Sequence, residues 1–289
     1  MKITAESKTL GASIEGYDLS IGAGDSQRDL VERLLGEHGV LCFRNQRLSA
    51  LQLRDFSAQF GELEINVANT AQEPDAPEVM TLSNIVRDGK PIGLGDAGQG
   101  WHTDMSYSRT VAFANVLHAL KVPHRNGQAL GATQFSDMAA AYDALPAGVK
   151  ERIAGLSAVH DFNKFWEMMR TRPGSLRKPL TAEQRAARPP ASHPLVMAHP
   201  ISGRRLLYCN PGYAIRIEGV AQAESDKLLE FLFGHQLQQD FIYTHRWSEG
   251  DVLMWDNLRT IHQAIADYRP DEPRLIKRCQ VMATRYLIH

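Results

Sequence analysis

Trp101-His102-Thr103-Asp104 and, far downstream, Trp255-Asp256-Asn257-Leu258-Arg259-Thr260-Ile261-His262 are the two stretches on which the reading of this chain turns. Residues two apart in a strand point to the same face, so His102 and Asp104 can offer an imidazole nitrogen and a carboxylate oxygen to one cation. With His262 as a third donor, two neutral imidazoles and a carboxylate occupy one face of an octahedron and leave three positions open. That donor set suits a mononuclear non-haem iron(II) oxygenase. A lone His-x-Asp arises by chance in many chains, so the surroundings must carry the reading.

The fold has to join residues 160 positions apart. Short candidate strands are frequent: Lys2 to Thr4, Ala12 to Glu15, Val40 to Phe43, Val79 to Ser83, Thr103 to Ser108, Ala112 to Leu120 and Ala132 to Ser136. More follow at Ala158 to Phe162, Leu195 to His199, Arg205 to Cys209, Asp240 to Arg246, Val252 to Trp255, Thr260 to Ile265 and Lys277 to Tyr286. Helical spacing appears at Ser26 to His38, Ser49 to Phe60, Met138 to Leu145, Ala147 to Leu156 and around Leu228, Leu229 and Leu232. Many short strands with few helices predict a mainly β chain with flanking helices, a double-stranded β-helix (jelly roll, cupin-like) whose mouth can hold a metal and a small ligand. In such a sandwich distant strands become neighbours.

Behind His262 runs Pro273-Arg274-Leu275-Ile276-Lys277-Arg278-Cys279-Gln280-Val281-Met282, which reads as a strand. A guanidinium presents a planar fork of donors that grips a carboxylate at two points, so a buried arginine near iron suits a dicarboxylate co-substrate. The plainer role for Arg274 is a surface ion pair with Asp271 or Glu272. Arg278 lies four residues on and shares the strand face of Arg274.

Composition sets the outer limits. The 289 residues are 43% hydrophobic, enough for one elaborated domain spanning 1–289. With 32 basic and 33 acidic residues, the net charge of −1 offers no electrostatic footprint for nucleic acid or an anionic membrane. No apolar run approaches the roughly 18 residues of a membrane span, and Met1 to Glu6 lacks the apolar centre of a signal peptide. Cys42, Cys209 and Cys279 stand singly, without CxxC spacing, and read as reduced buried thiols of a cytoplasmic protein, not as disulfides or a zinc site. The segment from about 163 to 192, with Arg170, Arg172, Arg177, Lys178, Arg185 and Arg188 among four prolines, is unsuited to packed strands and is expected to be a mobile lid over the pocket. Gly93 to Gly100 lacks the Lys-Ser/Thr ending of a phosphate loop and reads as a flexible approach to the site.

The ordered set His102-x-Asp104, Thr133, Trp255-Asp256-Asn257, His262, Arg274 and Arg278 resembles the taurine and 2,4-dichlorophenoxyacetate dioxygenase family of iron(II)/2-oxoglutarate oxygenases. The resemblance spans nearly the whole chain, through Val40-Leu41-Cys42-Phe43-Arg44, Phe60-Gly61-Glu62-Leu63, Val159-His160-Asp161-Phe162, His199-Pro200-Ile201-Ser202-Gly203 and Asn210-Pro211-Gly212-Tyr213. It implies that His102, Asp104 and His262 hold Fe(II), that Arg274 and Thr133 grip the far carboxylate of 2-oxoglutarate, and that Arg278 binds an anionic group of the primary substrate. Arg269 and Arg285 are the alternatives for the two arginine roles. The implied reaction consumes O2 and 2-oxoglutarate, releases succinate and CO2, and hydroxylates a C-H bond of a small anionic substrate. A homo-oligomer is the expected assembly.

Taurine-specific members carry His and Tyr shortly after the Phe-Gly-Glu-Leu segment and Asn before Trp-His-x-Asp, where this chain has Asn66, Asn69 and Gly98. Those polar contacts are gone, so taurine is not the expected substrate. Asn66 and Asn69, with Met105, Tyr107, Phe162 and Tyr213, are the candidate walls for an anion with an apolar or aromatic body. Two rival readings are a cupin-like metal-dependent hydrolase or isomerase and a non-catalytic ligand-binding relative; neither requires an anchor such as Arg274 with Thr133. His118, His160, His193 and His199 are expected to be hydrogen-bonded interior or loop residues, not ligands.

Overall fold

Alternation of apolar side chains along the long strands builds a mainly β molecule, which the computed structural model describes over residues 1–21, 24–65, 71–172, 175 and 177–287. The largest sheet has eight strands in the spatial order Lys2–Ala5, Ala12–Glu15, Val40–Phe43, Val252–Asp256, Ala112–Lys121, Leu275–Met282, Ala76–Ser83 and Gln72–Glu73. Only Ala12–Glu15 beside Val40–Phe43 is a parallel pairing within it. A smaller antiparallel sheet orders Ile242–His245, Thr133–Asp137 and Thr260–Ala264, and sets Phe135 opposite His262.

Period-two alternation gives the large sheet two apolar faces. Val40, Cys42, Leu117, Leu253, Trp255 and Ile276 point inward and meet Phe135 and Tyr243 of the small sheet. Leu41, Phe43, Val252, Met254, Cys279 and Val281 point the other way, into the core formed with helices Asp25–His38 and Ala50–Ala58. The second of these helices starts where Ser49 accepts from Gln52 N and the Gln52 side chain reaches back to Ser49 N, a reciprocal cap. The first ends at Gly39, left-handed at φ 68°, where a side chain would also meet Leu10.

Two expectations need correction. Thr103 to Ser108 is not a strand: His102 makes one isolated bridge to His262, after which the chain turns, with Met105 at φ 59°. The segment 163–192 is also more structured than its composition suggests, since Phe162–Arg170 and Ala182–Ala186 are helices and Ala191–Pro194 is a strand. Cys42, Cys209 and Cys279 are free and buried. Among the described residues no helix is long and apolar enough to cross a membrane.

One buried ion pair ties the layers together. Arg259 donates to Asp137 at 2.7 Å, both side chains at most 2% exposed, and also to the carbonyls of Gly36, Glu37 and Thr9. Removing one member leaves the other charge buried and unpaired, which costs roughly 3–5 kcal/mol. Arg259→Ala should therefore lower the unfolding free energy by about that amount in urea titrations, whereas Arg152→Ala, which breaks a half-exposed pair with Glu224, should change it by less than about 1 kcal/mol.

Candidate metal centre

His102 and His262 are joined through their backbones: His102 N donates to His262 O at 3.0 Å, and His262 N to His102 O at 2.8 Å. The bridge brings the two imidazole centroids to 4.3 Å. Nδ1 of His102 lies 2.8 Å from the Gly100 carbonyl, an acceptor only, so Nδ1 carries the proton and the Nε2 lone pair is left for the pocket. His262 is held by packing, with the Trp255 ring at 4.8 Å and Phe135 stacked at 6.1 Å.

Asp104 completes the group. Its Oδ1 lies 3.5 Å from Nε2 of His102 and its Oδ2 3.5 Å from Nε2 of His262. All three donor atoms fall within 4.8 Å of one another. The turn that carries Asp104 is fixed by Asn257, whose Oδ1 accepts from Asp104 N at 3.1 Å while its Nδ2 donates to Asp104 O at 2.9 Å. Acceptor atoms facing one another across this gap, with no donor between His102 Nε2 and the carboxylate, fit a cation.

Electrostatics prepare the same state. Burial alone would raise the Asp104 carboxyl, but its neighbours, the Arg278 guanidinium foremost, outweigh it and hold the group below the usual carboxylate range. Burial, and then the neighbouring His102, push His262 well below the ordinary histidine range, so it is neutral. Ionised carboxylate and neutral imidazole are the ligating forms.

The two arginines differ in how they are satisfied. Arg278 NH2 lies 3.2 Å from Asp104 Oδ2, its Nε donates to Asn115 Oδ1 at 3.0 Å, and its guanidinium also bonds Gln280. Arg274 is 8% exposed and has no carboxylate partner among the described residues; its ring neighbour is Tyr268 at 5.9 Å. Burial lowers its pKa, as expected for a cation without a counter-charge. Thr133 Oγ1 accepts from Trp247 Nε1 at 3.1 Å. His102, Asp104, His262, Thr133, Arg274 and Arg278 line a single pocket.

The surface pairing considered for Arg274 does not form, since Glu272 bonds Arg125 and Arg269, and Asp271 bonds Arg269. The fallback arginines lie elsewhere: Arg269 is exposed, and Arg285 pairs with Glu32. The rival histidines are engaged apart from the pocket or buried among other rings. His118 contacts Gln46 O, His193 contacts Ser108 O, His199 is bonded to Asp256 at 2.6 Å, and His160 lies beside His193 and Tyr208.

Among the candidate walls, Tyr107, Phe162 and Tyr213 come together, with ring centroids 4.8 and 4.9 Å from Tyr107. Met105 joins them through a 3.2 Å contact from the Tyr107 hydroxyl to its sulfur. Asn66 and Asn69 lie outside the described residues. Phe165 was missed although its ring sits 4.9 Å from His102 and 5.0 Å from Tyr213. Its signal was present: Phe162, Phe165, Trp166 and Met169 recur at helical spacing inside a segment dominated by basic residues and proline. Asn115 and the clamp made by Asn257 were also missed, and only the motif around Trp255 hinted at the second.

The profile of the taurine catabolism dioxygenase TauD, TfdA family matches residues 2–280. The chain is 36% identical over 264 residues to the alpha-ketoglutarate-dependent 2,4-dichlorophenoxyacetate dioxygenase of Cupriavidus pinatubonensis, covering 87% of this chain and 88% of that one. It is 33% identical to the (S)-phenoxypropionate/alpha-ketoglutarate-dioxygenase of Sphingobium herbicidovorans, covering 89% and 86%. The crystal structure of AAD-2 in complex with Mn(II) and N-oxalylglycine is similar at a TM-score of 0.84, with 27% identity and coverage of 100% of each chain.

Partners that orient metal ligands typically carry 10–100-fold in metal affinity. Asn257→Ala frees the backbone of Asp104 and should weaken divalent-metal binding by roughly that factor, measured by anaerobic calorimetry, with the far-UV circular dichroism unchanged.

Proposed function

Because the chain belongs to the taurine catabolism dioxygenase TauD, TfdA family, we propose that its pocket hydroxylates a C-H bond of a small anionic substrate with an apolar or aromatic body. The chain is an iron(II)- and 2-oxoglutarate-dependent dioxygenase, an oxidoreductase. The finer assignment rests on one observation above the others. A buried guanidinium without a counter-charge, Arg274, opens onto the same pocket as three converging metal donors. Neither a hydrolytic cupin nor a bare ligand-binding relative has use for such a group.

In this reading His102, Asp104 and His262 hold the metal through Nε2, a carboxylate oxygen and Nε2. Arg274 and Thr133 take the far carboxylate of 2-oxoglutarate, a diacid whose isostere N-oxalylglycine accompanies manganese in the AAD-2 structure. Iron with 2-oxoglutarate and O2 supplies the oxidant that places oxygen into a C-H bond, with succinate and CO2 as co-products. The residues around it bind, orient and exclude water. Gly100 O keeps the proton on Nδ1 of His102, Asn257 fixes the turn at Asp104, and Trp255 and Phe165 dry the metal side.

Arg278 anchors the anionic group of the substrate while Tyr107, Phe162, Tyr213 and Met105 enclose its body, so position decides which carbon reacts. Relatives named for dichlorophenoxyacetate and phenoxypropionate support an aryloxy acid or a similarly shaped anion, and the sequence departures at Asn66, Asn69 and Gly98 argue against taurine. The double-stranded β-helix is the scaffold we assign, as one domain over 1–289. We assign the described part of the stretch from Asn163 to Ser192 as the cover of the pocket, with helix Phe162–Arg170 as its inner wall.

Anaerobic addition of iron(II) and then 2-oxoglutarate should produce a visible charge-transfer band. Asp104→Ala should abolish it. Arg278→Ala should retain it, because removing a neighbouring positive charge does not weaken a divalent ion, and should instead uncouple succinate formation from substrate oxidation. Arg274→Ala should raise the KM for 2-oxoglutarate by at least about 30-fold, the loss expected when one partner of a buried, hydrogen-bonded charge pair is removed. Equal loss of the band in the Asp104 and Arg278 variants would refute the division of roles.

A further inference from the structure

A second group of metal-ligating side chains lies between the two sheets. Cys42 sits on Val40–Phe43 of the large sheet, His245 ends Ile242–His245 of the small sheet, and Asp251 immediately precedes Val252–Asp256. All three are 1% exposed, and one donor atom from each falls within 4.8 Å of the others. We propose that Cys42 Sγ, His245 Nε2 and an Asp251 carboxylate oxygen form a second metal site, chemically distinct from the iron site and suited to zinc(II). The three residues come from separate segments, so no CxxC-like spacing announces them.

Three observations carry this assignment. Nε2 of His245 is buried and makes no well-formed hydrogen bond, the nearest carboxylate oxygen, Asp251 Oδ2, standing 3.4 Å away. Its other nitrogen, Nδ1, lies 3.4 Å from the Tyr243 hydroxyl. With the Nδ1 proton donated to that oxygen, the Nε2 lone pair faces the carboxylate and thiol, the arrangement in which a ligating histidine is held from behind.

The charge balance points the same way. Asp251 Oδ2 accepts from Arg44 NH1 at 2.9 Å and from Ser248 N at 2.8 Å, and Arg44 NH2 lies 3.6 Å from Glu6 Oε1. Two carboxylates and one guanidinium leave the group one charge negative while the thiol keeps its proton. Binding a divalent ion breaks the S-H bond, forms a metal-sulfur bond and sends the proton to solvent. The group then becomes neutral. Thiolate favours zinc, whereas the imidazole and carboxylate donors at His102, Asp104 and His262 offer no sulfur. Three protein donors leave one tetrahedral position for water.

Cobalt(II) distinguishes the two sites, because only a thiolate ligand gives an intense near-ultraviolet sulfur-to-cobalt band. The whole chain, stripped of metal and titrated anaerobically with cobalt(II), should take up two equivalents per chain and develop that band. Asp104→Ala should keep the band and lose one equivalent. Cys42→Ser should lose the band and the other equivalent, and His245→Gln provides the same readout should the serine variant not fold. Zinc(II) should raise the Tm of Asp104→Ala and leave that of the Asp104→Ala/Cys42→Ser double variant unmoved. A single equivalent in the wild type with no sulfur band, or a band that survives both Cys42→Ser and His245→Gln, would overturn the proposal and leave Cys42, His245 and Asp251 as a hydrogen-bonded group only.

Discussion

The reciprocal pair of backbone hydrogen bonds between His102 and His262 is the constraint on which the pocket depends. It is a single bridge rather than part of a ladder, yet it sets the two imidazoles side by side and fixes where the chain must turn to deliver Asp104. On the other side of His262, pairing of Thr260–Ala264 with Thr133–Asp137 places Thr133 opposite Ala264, two residues along on the same face. His262 and Thr133 therefore share one small sheet, with His102 bridged to its edge. Asn257 lies between, giving the turn the bonds that a ladder would otherwise supply.

Charge is distributed through this interior by pairing. Arg259 meets Asp137, His199 meets Asp256, Arg44 meets Asp251 and Arg278 meets Asp104. An unpaired buried charge is expensive, so one left standing has to be offset by what binds there. Arg274, which has no carboxylate partner among the described residues, is such a charge. The inner face of the last strand carries it together with Ile276, Arg278 and Gln280, because strand alternation repeats every two residues. Arg278 is then in contact with Asp104, while Arg274 is left facing the open part of the pocket.

The sequence exposed the periodic parts of this design. Val40–Phe43, Val252–Asp256 and Leu275–Met282 are runs whose apolar residues serve two faces at once, and their positions followed from that pattern. The three converging side chains were also legible, once the His-x-Asp was read together with the late histidine and the arginines behind it. Thr103 to Ser108 misled because Met105 and Tyr107 alternate with small polar residues as a strand would. What ends the strand is a side chain 153 positions away, Asn257, which bonds both backbone groups of Asp104. A local pattern cannot report a partner of that kind. The helix Phe162–Arg170 was hidden for a different reason: its surroundings carry prolines and arginines, and their composition outweighed a four-residue apolar stripe.

That helix also stands beside the loop that leads to His102. Arg177 forms a two-point pair with Asp96 at 2.8 and 2.9 Å, and Arg172 donates to Gln99 at 2.9 Å. Both contacts reach the loop whose next residue, Gly100, accepts from Nδ1 of His102. Gly100 has φ 102°, and a side chain there would lie 2.9 Å from Met168 Cε, so the helix and the loop approach as closely as a bare backbone permits. The contacts of Arg172 and Arg177 and the carbonyl that fixes the His102 tautomer thus belong to one loop. Gly212 closes the same contact from the far side, since a Cβ there would lie 2.9 Å from His102 Cβ and 3.0 Å from Phe165 Cδ2. Ligand orientation and aromatic enclosure are thus properties of one packed unit, in which the imidazole is gripped between a glycine on each side and a phenyl ring above.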